Sequence, residues 1–298
     1  MGTYFNCYSL LEKVRVQLNE HSTGYVQGTD TTCKYSNTQI VDGINAARKH
    51  IYNLLLPRIP YEFEEEIELT GVNSVYTLPA DFGQLRYFKD SDGNQIHPIS
   101  TNQRRKTSGA GNGNLYYRKG NTLVIDKAGA TEVCTLIYYR KCRDLDQGKA
   151  SAGGAASITL ATSAKKLIDY YNGLTIENIT KDWVDTISDY SAARVATVLE
   201  TAAANDYYGI VCDMPEPFHH LYVPRAVFEI TGNFPVVYNR SLVGGTGALG
   251  WTVFNEDFMS TLKAYAGGSL DTYPENTWCA YSGGGGGGNS NPFNIPGH

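Results

Sequence analysis

The residues with the strongest claim to chemistry are carboxylates. Glu62, Glu64, Glu65, Glu66 and Glu68 crowd one short stretch, and Asp81 comes soon after. Acid–base catalysis by a carboxylate pair needs one member buried, so that it keeps its proton near neutral pH. Glutamates spaced along a strand have no such environment and are expected to form a solvated acidic face. His219-His220 is the one adjacent histidine pair. Neighbours on a helix diverge by about 100°, so the two rings cannot comfortably hold one metal ion. No His-x-x-x-His and no nearby cysteine completes a ligand set. Cys7, Cys33, Cys134, Cys142, Cys212 and Cys279 are scattered without a Cys-x-x-Cys pair, as reduced core thiols are. Gly109-Ala-Gly111-Asn-Gly113 lacks the strand, the helix and the Lys-Ser/Thr that a phosphate loop requires. There is no Gly-x-Ser-x-Gly elbow. The expectation is a protein without a catalytic site, a metal or a cofactor.

Charge narrows the class of partner. The 298 residues carry 25 Lys+Arg against 30 Asp+Glu, a net charge of −5. Gripping nucleic acid by its phosphates takes a basic surface. Arg104-Arg105-Lys106 is the one basic cluster, and in a Gly/Ser/Asn loop it is expected to be a solvated tip. No apolar run approaches the roughly 18 residues of a membrane span. Residues 1–20 lack the features of a signal peptide. Tyrosine is abundant, at 22 against 3 Trp, which suits protein–protein surfaces or exposed sheet.

Periodicity supplies the elements that must position these residues. Leu10, Leu11, Val14 and Leu18 fall at helical spacing over 8–19. Asn37 can cap a second helix over 37–56, with Ile40, Val41, Ile44, Ile51, Leu54 and Leu55 near one face and Pro57 and Pro60 at its end. Strands are expected at 61–69, 75–78, 85–89, 95–99, 115–118, 122–125 and 133–140, with Asp90-Ser-Asp92-Gly93 as a hairpin turn. Gly, Ala and Ser at 148–156 suggest a linker, and 157–212 a small all-β unit. Helices return at 219–230, where Pro224 must start or kink the helix, and at 252–265, where Phe254, Phe258, Leu262 and Tyr265 form a stripe. Past Gly267 no period remains, and six glycines from Gly283 precede Pro292-Phe293-Asn-Ile295-Pro296. The fold class expected is α+β: a helical bundle with an antiparallel β-sheet, an inserted small all-β domain and an extended Gly-rich C-terminal arm. The expected division is 1–147 for the core, 148–213 for the insertion, 214–267 for the resumed helices and 268–298 for the arm.

This order of elements resembles the head-to-tail adaptor (connector) proteins of tailed bacteriophages. Ile40-Val-Asp-Gly-Ile44-Asn-Ala-Ala47, Tyr76-Thr-Leu-Pro-Ala-Asp81-Phe82 and Asp92-Gly93 with Pro98-Ile-Ser100 carry it. Leu115-Tyr-Tyr117, Gly120-Asn-Thr-Leu123-Val and Leu136-Ile-Tyr-Tyr139-Arg140 continue it. Tyr170-Tyr-Asn-Gly173 and Ile187-Ser-Asp189-Tyr190 liken 157–212 to a β-module inserted in phage structural proteins. The resemblance implies a virion protein of the head–tail interface, made in the host cytoplasm. It implies a ring beneath the portal, commonly a dodecamer, that passes DNA to the tail without binding it specifically. The implied partners are further copies of the chain, the portal, and tail tube, nozzle or tail fibre proteins, with no membrane and no cofactor. On that basis the ring interface is expected at Ile44, Ile51, Phe254, Phe258 and Leu262. A channel-facing acidic strip is expected at Glu62, Glu64, Glu66 and Glu68, and a portal-binding arm at Pro292, Phe293, Ile295 and Pro296. The alternative is a β-rich tail or adhesion component in which Tyr170, Tyr171, Tyr190, Tyr207 and Tyr208 stack on carbohydrate.

Overall fold

The computed structural model describes residues 6–20, 33–99, 115–125, 132–235 and 248–266. They form four α-helices and four sheets that are antiparallel but for one short pair, a mixed α+β fold. Helix α1 (Cys7–Gln17) starts on Asn6, whose side chain accepts from the Ser9 amide at 2.7 Å. It buries Leu10, Leu11 and Val14. Helix α2 (Asn37–Leu55) is capped by Ser36 rather than Asn37, because Ser36 and Gln39 satisfy each other's amides in a capping box. Its stripe of Ile40, Ile44, Ala47, Ile51 and Leu55 is fully buried. The strand expected from residue 61 opens instead with a 3-10 turn, Pro60–Phe63, since Pro60 has no amide to give to a ladder.

Next come strands β1 (Glu64–Thr70), β2 (Val75–Thr77), β3 (Phe82–Lys89), β4 (His97–Pro98), β5 (Leu115–Lys119), β6 (Thr122–Ile125) and β7 (Val133–Arg140). They make two sheets, β1-β7-β3 and β2-β6-β5-β4, rather than the one sheet expected. The segment 95–99 does not return along β3. After a single bridge from Lys89 to Gln95 it leaves to pair parallel with β5. The two sheets share a core of Tyr76, Phe88, Tyr116, Leu123, Leu136 and Tyr138.

The small residues of 148–156 form strands, not a linker. β8 (Gln147–Lys149) pairs with β15 (Tyr207–Ile210), and β9 (Ala152–Gly154) with β10 (Ser157–Thr159). Small side chains here permit close approach: a Cβ on Gly153 would meet the Ala202 carbonyl at 2.5 Å. With β11 (Thr175–Asn178), β12 (Trp183–Thr186), β13 (Asp189–Tyr190) and β14 (Val195–Thr197) they build the sheets β12-β11-β15-β8 and β13-β14-β10-β9. Helix α3 (Tyr222–Thr231) begins at Tyr222 rather than His219, after a 3-10 turn over Glu216–Leu221. Pro224 lies in its first turn, where a missing amide costs nothing. Gly232 closes it at φ 74°. Helix α4 (Ala248–Tyr265) carries the aromatic stripe.

One apolar core joins the helices to the sheets of 147–212. Leu10, Ile44, Phe218 and Phe254 belong to the same cluster as Ile158, Tyr171, Ile176 and Tyr208. The sheets of 64–140 have their own core. The chain passes between the two cores at 56–63 and at 141–146. These passages lie side by side, because Glu64 is paired with Tyr139. The break in packing therefore encloses 64–140 and does not fall at the 147/148 division that composition suggested.

Candidate functional site

The passage at 140–146 is gripped by a polar stripe of α2. Asn45 donates to the Leu145 carbonyl at 3.0 Å and accepts from the Leu145 amide at 2.7 Å, the pairing a buried amide side chain requires. Arg48 donates to the Arg143 carbonyl and pairs with Asp213. Lys49 meets Asp144 at 2.6 Å, and the Tyr52 hydroxyl donates to the Arg140 carbonyl. From the other side Arg143 donates to the Asn172 carbonyl at 2.6 Å, and Asp146 accepts from the Tyr208 hydroxyl. The passage is thus fixed to α2 and to the later sheets at once. Sequence reasoning missed this grip, although a signal for it exists: polar residues at 45, 48 and 52, spaced as on one helix face beside the apolar stripe.

Charges around Arg48 reinforce one another. Burial opposes the charge of Arg48, but Cys142, Cys212, Asp213 and Tyr222 hold its pKa well above the ordinary value. Burial pushes the Cys212 thiol up, yet Arg48 and His219 outweigh it and bring its pKa below the usual one. Burial lowers His219, while Cys212 and the Met214 carbonyl raise it to a net increase. Sequence spacing suggests no cysteine near the histidine pair; the fold brings Cys212 to His219. His220 stands apart at the surface, 3.3 Å from Asp257. Among the described residues no group of His, Cys, Asp or Glu could hold a metal ion. Asp146 is pushed up to about 6 by burial, against the hydrogen bonds of Tyr208 and Ser163. Asp81 accepts from the Tyr138 hydroxyl at 2.8 Å.

The expected acidic strip comes out smaller. Glu64, Glu66 and Glu68 share one face of β1, and Glu66 and Glu68 are exposed. Glu64 is paired with Arg86, which reaches across from β3. Glu62 lies in the 3-10 turn, where its carboxylate accepts from the Tyr265 hydroxyl. Glu65, on the opposite face of β1, meets Arg140 at 3.2 Å.

The residues expected at a ring interface occupy another place. Ile44, Ile51, Phe254, Phe258 and Leu262 are at most 2 % exposed in the single chain and pack its own core. A neighbouring copy would reach them only by opening that core. Their stripes are covered from within, by one another and by the sheets of 147–212. Exposed large apolar side chains lie elsewhere: Val16 on α1, Tyr61, Val72, Val75, Tyr87 and Val133 on or beside the sheets of 64–140, and Leu167, Ile168, Val184 and Leu199 on or beside the later ones.

The tyrosines expected to stack on sugars are not available either. Tyr170, Tyr171, Tyr190 and Tyr208 are buried, and Tyr171 packs edge-on against both Tyr170 and Tyr190. Their hydroxyls turn inward, that of Tyr190 to the Lys165 carbonyl at 2.6 Å. Tyr207 leans on Tyr8 beneath Lys149. Pro292, Phe293, Ile295 and Pro296, with Arg104–Lys106 and Gly109–Gly113, lie outside the described residues.

Residues 5–163 match the family model described as SU10 adaptor protein. The class is that of phage adaptors, virion proteins that meet portal and tail proteins. The match takes in more than half of the 298 residues, and the chain belongs to the SU10 adaptor protein family. Its bounds take in α1, α2, the sheets of 64–140 and the strands β8 to β10, and so extend past residue 148. No curated protein matches the sequence.

Proposed function

We propose that this adaptor closes into a ring, of twelve copies, between the portal and the tail of a tailed phage. DNA passes through its centre unbound, and the chain has no catalytic role. The family match over 5–163 is the observation that carries the proposal. The surface is compatible with it. Heterologous contacts that close a ring need two different faces on one chain. The exposed apolar side chains fall on two separately packed parts, Tyr61, Val72, Val75, Tyr87 and Val133 on or beside one and Val16, Leu167, Ile168, Val184 and Leu199 on the other. Glu66 and Glu68 face the channel, where their charge repels the DNA backbone. The segment 148–213 lies at the periphery and meets tail tube, nozzle or fibre proteins.

The arm, 268–298, docks on the portal through Phe293 and Ile295. Burying each is worth roughly 1.5–3 kcal/mol, and a ring multiplies that contact by its number of copies. The chain is made in the host cytoplasm and built into the virion. The test is the particle mass of the purified protein, alone and mixed with portal. A closed ring, free or portal-bound, is expected. A monomer under both conditions would overturn the proposal.

A further inference from the structure

Strand β1 is the longest regular sheet edge among the described residues. Its seven residues, Glu64–Thr70, keep one unbroken register with β7 and, among the described residues, pair with no other strand. Its sister edge, β3, is guarded. β-bulges interrupt β3 between Phe82 and Gln84 and between Leu85 and Tyr87, and its end is covered by the Ile96 amide bonded to the Phe88 carbonyl at 2.7 Å. Bulges, short strands and charged side chains are usual protections of an edge. The remaining edge strands, β2, β4, β8, β9, β12 and β13, have four residues or fewer. β1 has neither a bulge nor a short length; its protection is the charge of Glu64, Glu66 and Glu68, and among the described residues no strand meets the alternate amides and carbonyls that point away from β7. Ile67 and Leu69, on its inner face, are only partly covered although they pack against the core of 64–140.

Helix α4 delivers the chain to this edge. The Tyr265 hydroxyl donates to the carboxylate of Glu62, two positions before β1 begins. The Tyr265 ring packs on Phe218 at 5.6 Å, which fixes the end of the helix there. A segment that begins twelve residues past the end of the helix has the composition of a strand. Thr277-Trp278-Cys279-Ala280-Tyr281 is rich in β-branched and aromatic residues, uncharged, and bounded by Pro274 and the glycines from Gly283. Residues 267–276 can reach roughly 35 Å, more than the roughly 23 Å that seven strand residues span.

We propose that residues 277–281 add to β1 of the same chain as a fourth strand of the sheet β1-β7-β3, with Trp278 over Ile67 and Leu69. Charge favours this occupant over a second β1. Two copies of β1 would set Glu64, Glu66 and Glu68 against one another, and like charges on neighbouring strands repel. The uncharged segment meets no such penalty. The added strand would also fix where the Gly-rich portion of the arm leaves the body.

The experiment is residue-resolved hydrogen exchange on the full chain, as parent and as the variants Trp278→Asp and Cys279→Pro. In the parent, the β1 amides that point away from β7 are expected to be protected. In both variants they should exchange at least tenfold faster, while the amides joining β7 to β3 stay protected and report that the sheet is intact. Equal β1 exchange in parent and variants overturns the proposal. So does β1 protection that disappears when the parent is diluted to a monomer, since the strand would then come from a second copy. Neither outcome depends on ring formation or portal binding, so this inference and the proposed function can fail separately.

Discussion

The two cores make a sharp prediction about which part of the chain can be removed. Glu64 and Tyr139 are a paired position of neighbouring strands, so their Cα atoms lie about 5 Å apart. Replacing 65–138 by Asn-Gly would close this gap with a two-residue hairpin. The excision removes the whole 65–138 share of the second core and leaves the first core complete. The ion pair from Arg140 to Glu65 is lost; it is partly exposed and worth about 0–1 kcal/mol. The Tyr52 bond to the Arg140 carbonyl and the Tyr52–Phe63 ring contact remain. The shortened chain should fold with a loss of about 1–2 kcal/mol, a fall in Tm of roughly 2–8 °C.

Removing 150–210 should act quite differently. It takes Tyr207 from Tyr8, Glu177 from Asn6, and the later sheets from beneath α1. Exposing even three buried side chains costs roughly 5–9 kcal/mol, as much as many domains have in total. Thermal unfolding by circular dichroism distinguishes the two. A cooperative transition for the 150–210 deletion, with none for the 65–138 excision, would refute the assignment of the cores.

Single residues supply the other tests. Arg48→Met strands the Asp213 carboxylate and the Arg143 carbonyl, and should cost about 3–5 kcal/mol in urea unfolding, partly restored by adding Asp213→Leu. Asp146 has a folded pKa of about 6, above its ordinary 3.8, so it takes up its proton first in the folded chain and adds stability as the pH falls from 6 to 4. His50 has a folded pKa of about 4, below its ordinary 6.5, because of burial and Arg225, so it removes stability as the pH falls from 6.5 to 4. These contributions, about 3 kcal/mol for Asp146 and about 2 kcal/mol for the part-exposed His50, nearly cancel in the parent. Asp146→Asn should therefore lose stability on acidification from pH 6.5 to 4.5, and His50→Gln should gain it; identical urea midpoints against pH for all three proteins would contradict the signs. Removing 283–298 should leave the melting curve unchanged and weaken portal attachment strongly, with Phe293→Ala doing part of the same.

Much of the fold was legible in the sequence because periodicity reports local geometry. Ile40, Ile44 and Ile51 marked the buried face of α2, and Tyr76, Leu123 and Leu136 marked strands that the structure contains. What periodicity could not report was who covers a buried face. Phe254 and Phe258 look the same in sequence whether a neighbouring copy or the chain's own core covers them. Composition misled in a related way. Gly153 suggested a flexible joint, but it is small because a neighbouring backbone passes against it. The tyrosines of 170–208 looked like surface because tyrosine is polar at one end, yet their hydroxyls find partners inside. Cys212 and His219 are seven residues apart, a spacing that matches no ligand motif, and His219 meets Cys212 from within the turn over Glu216–Leu221.

The rest of the proposed function depends on a ring of this chain at the head–tail junction. Electron-microscopy class averages of the neck of tailed particles, with an antibody label on this chain, test it most directly. A closed ring of labelled copies between the portal and the tail is expected. Label confined to the tail tip or fibres, with no ring of this chain at the neck, would contradict it.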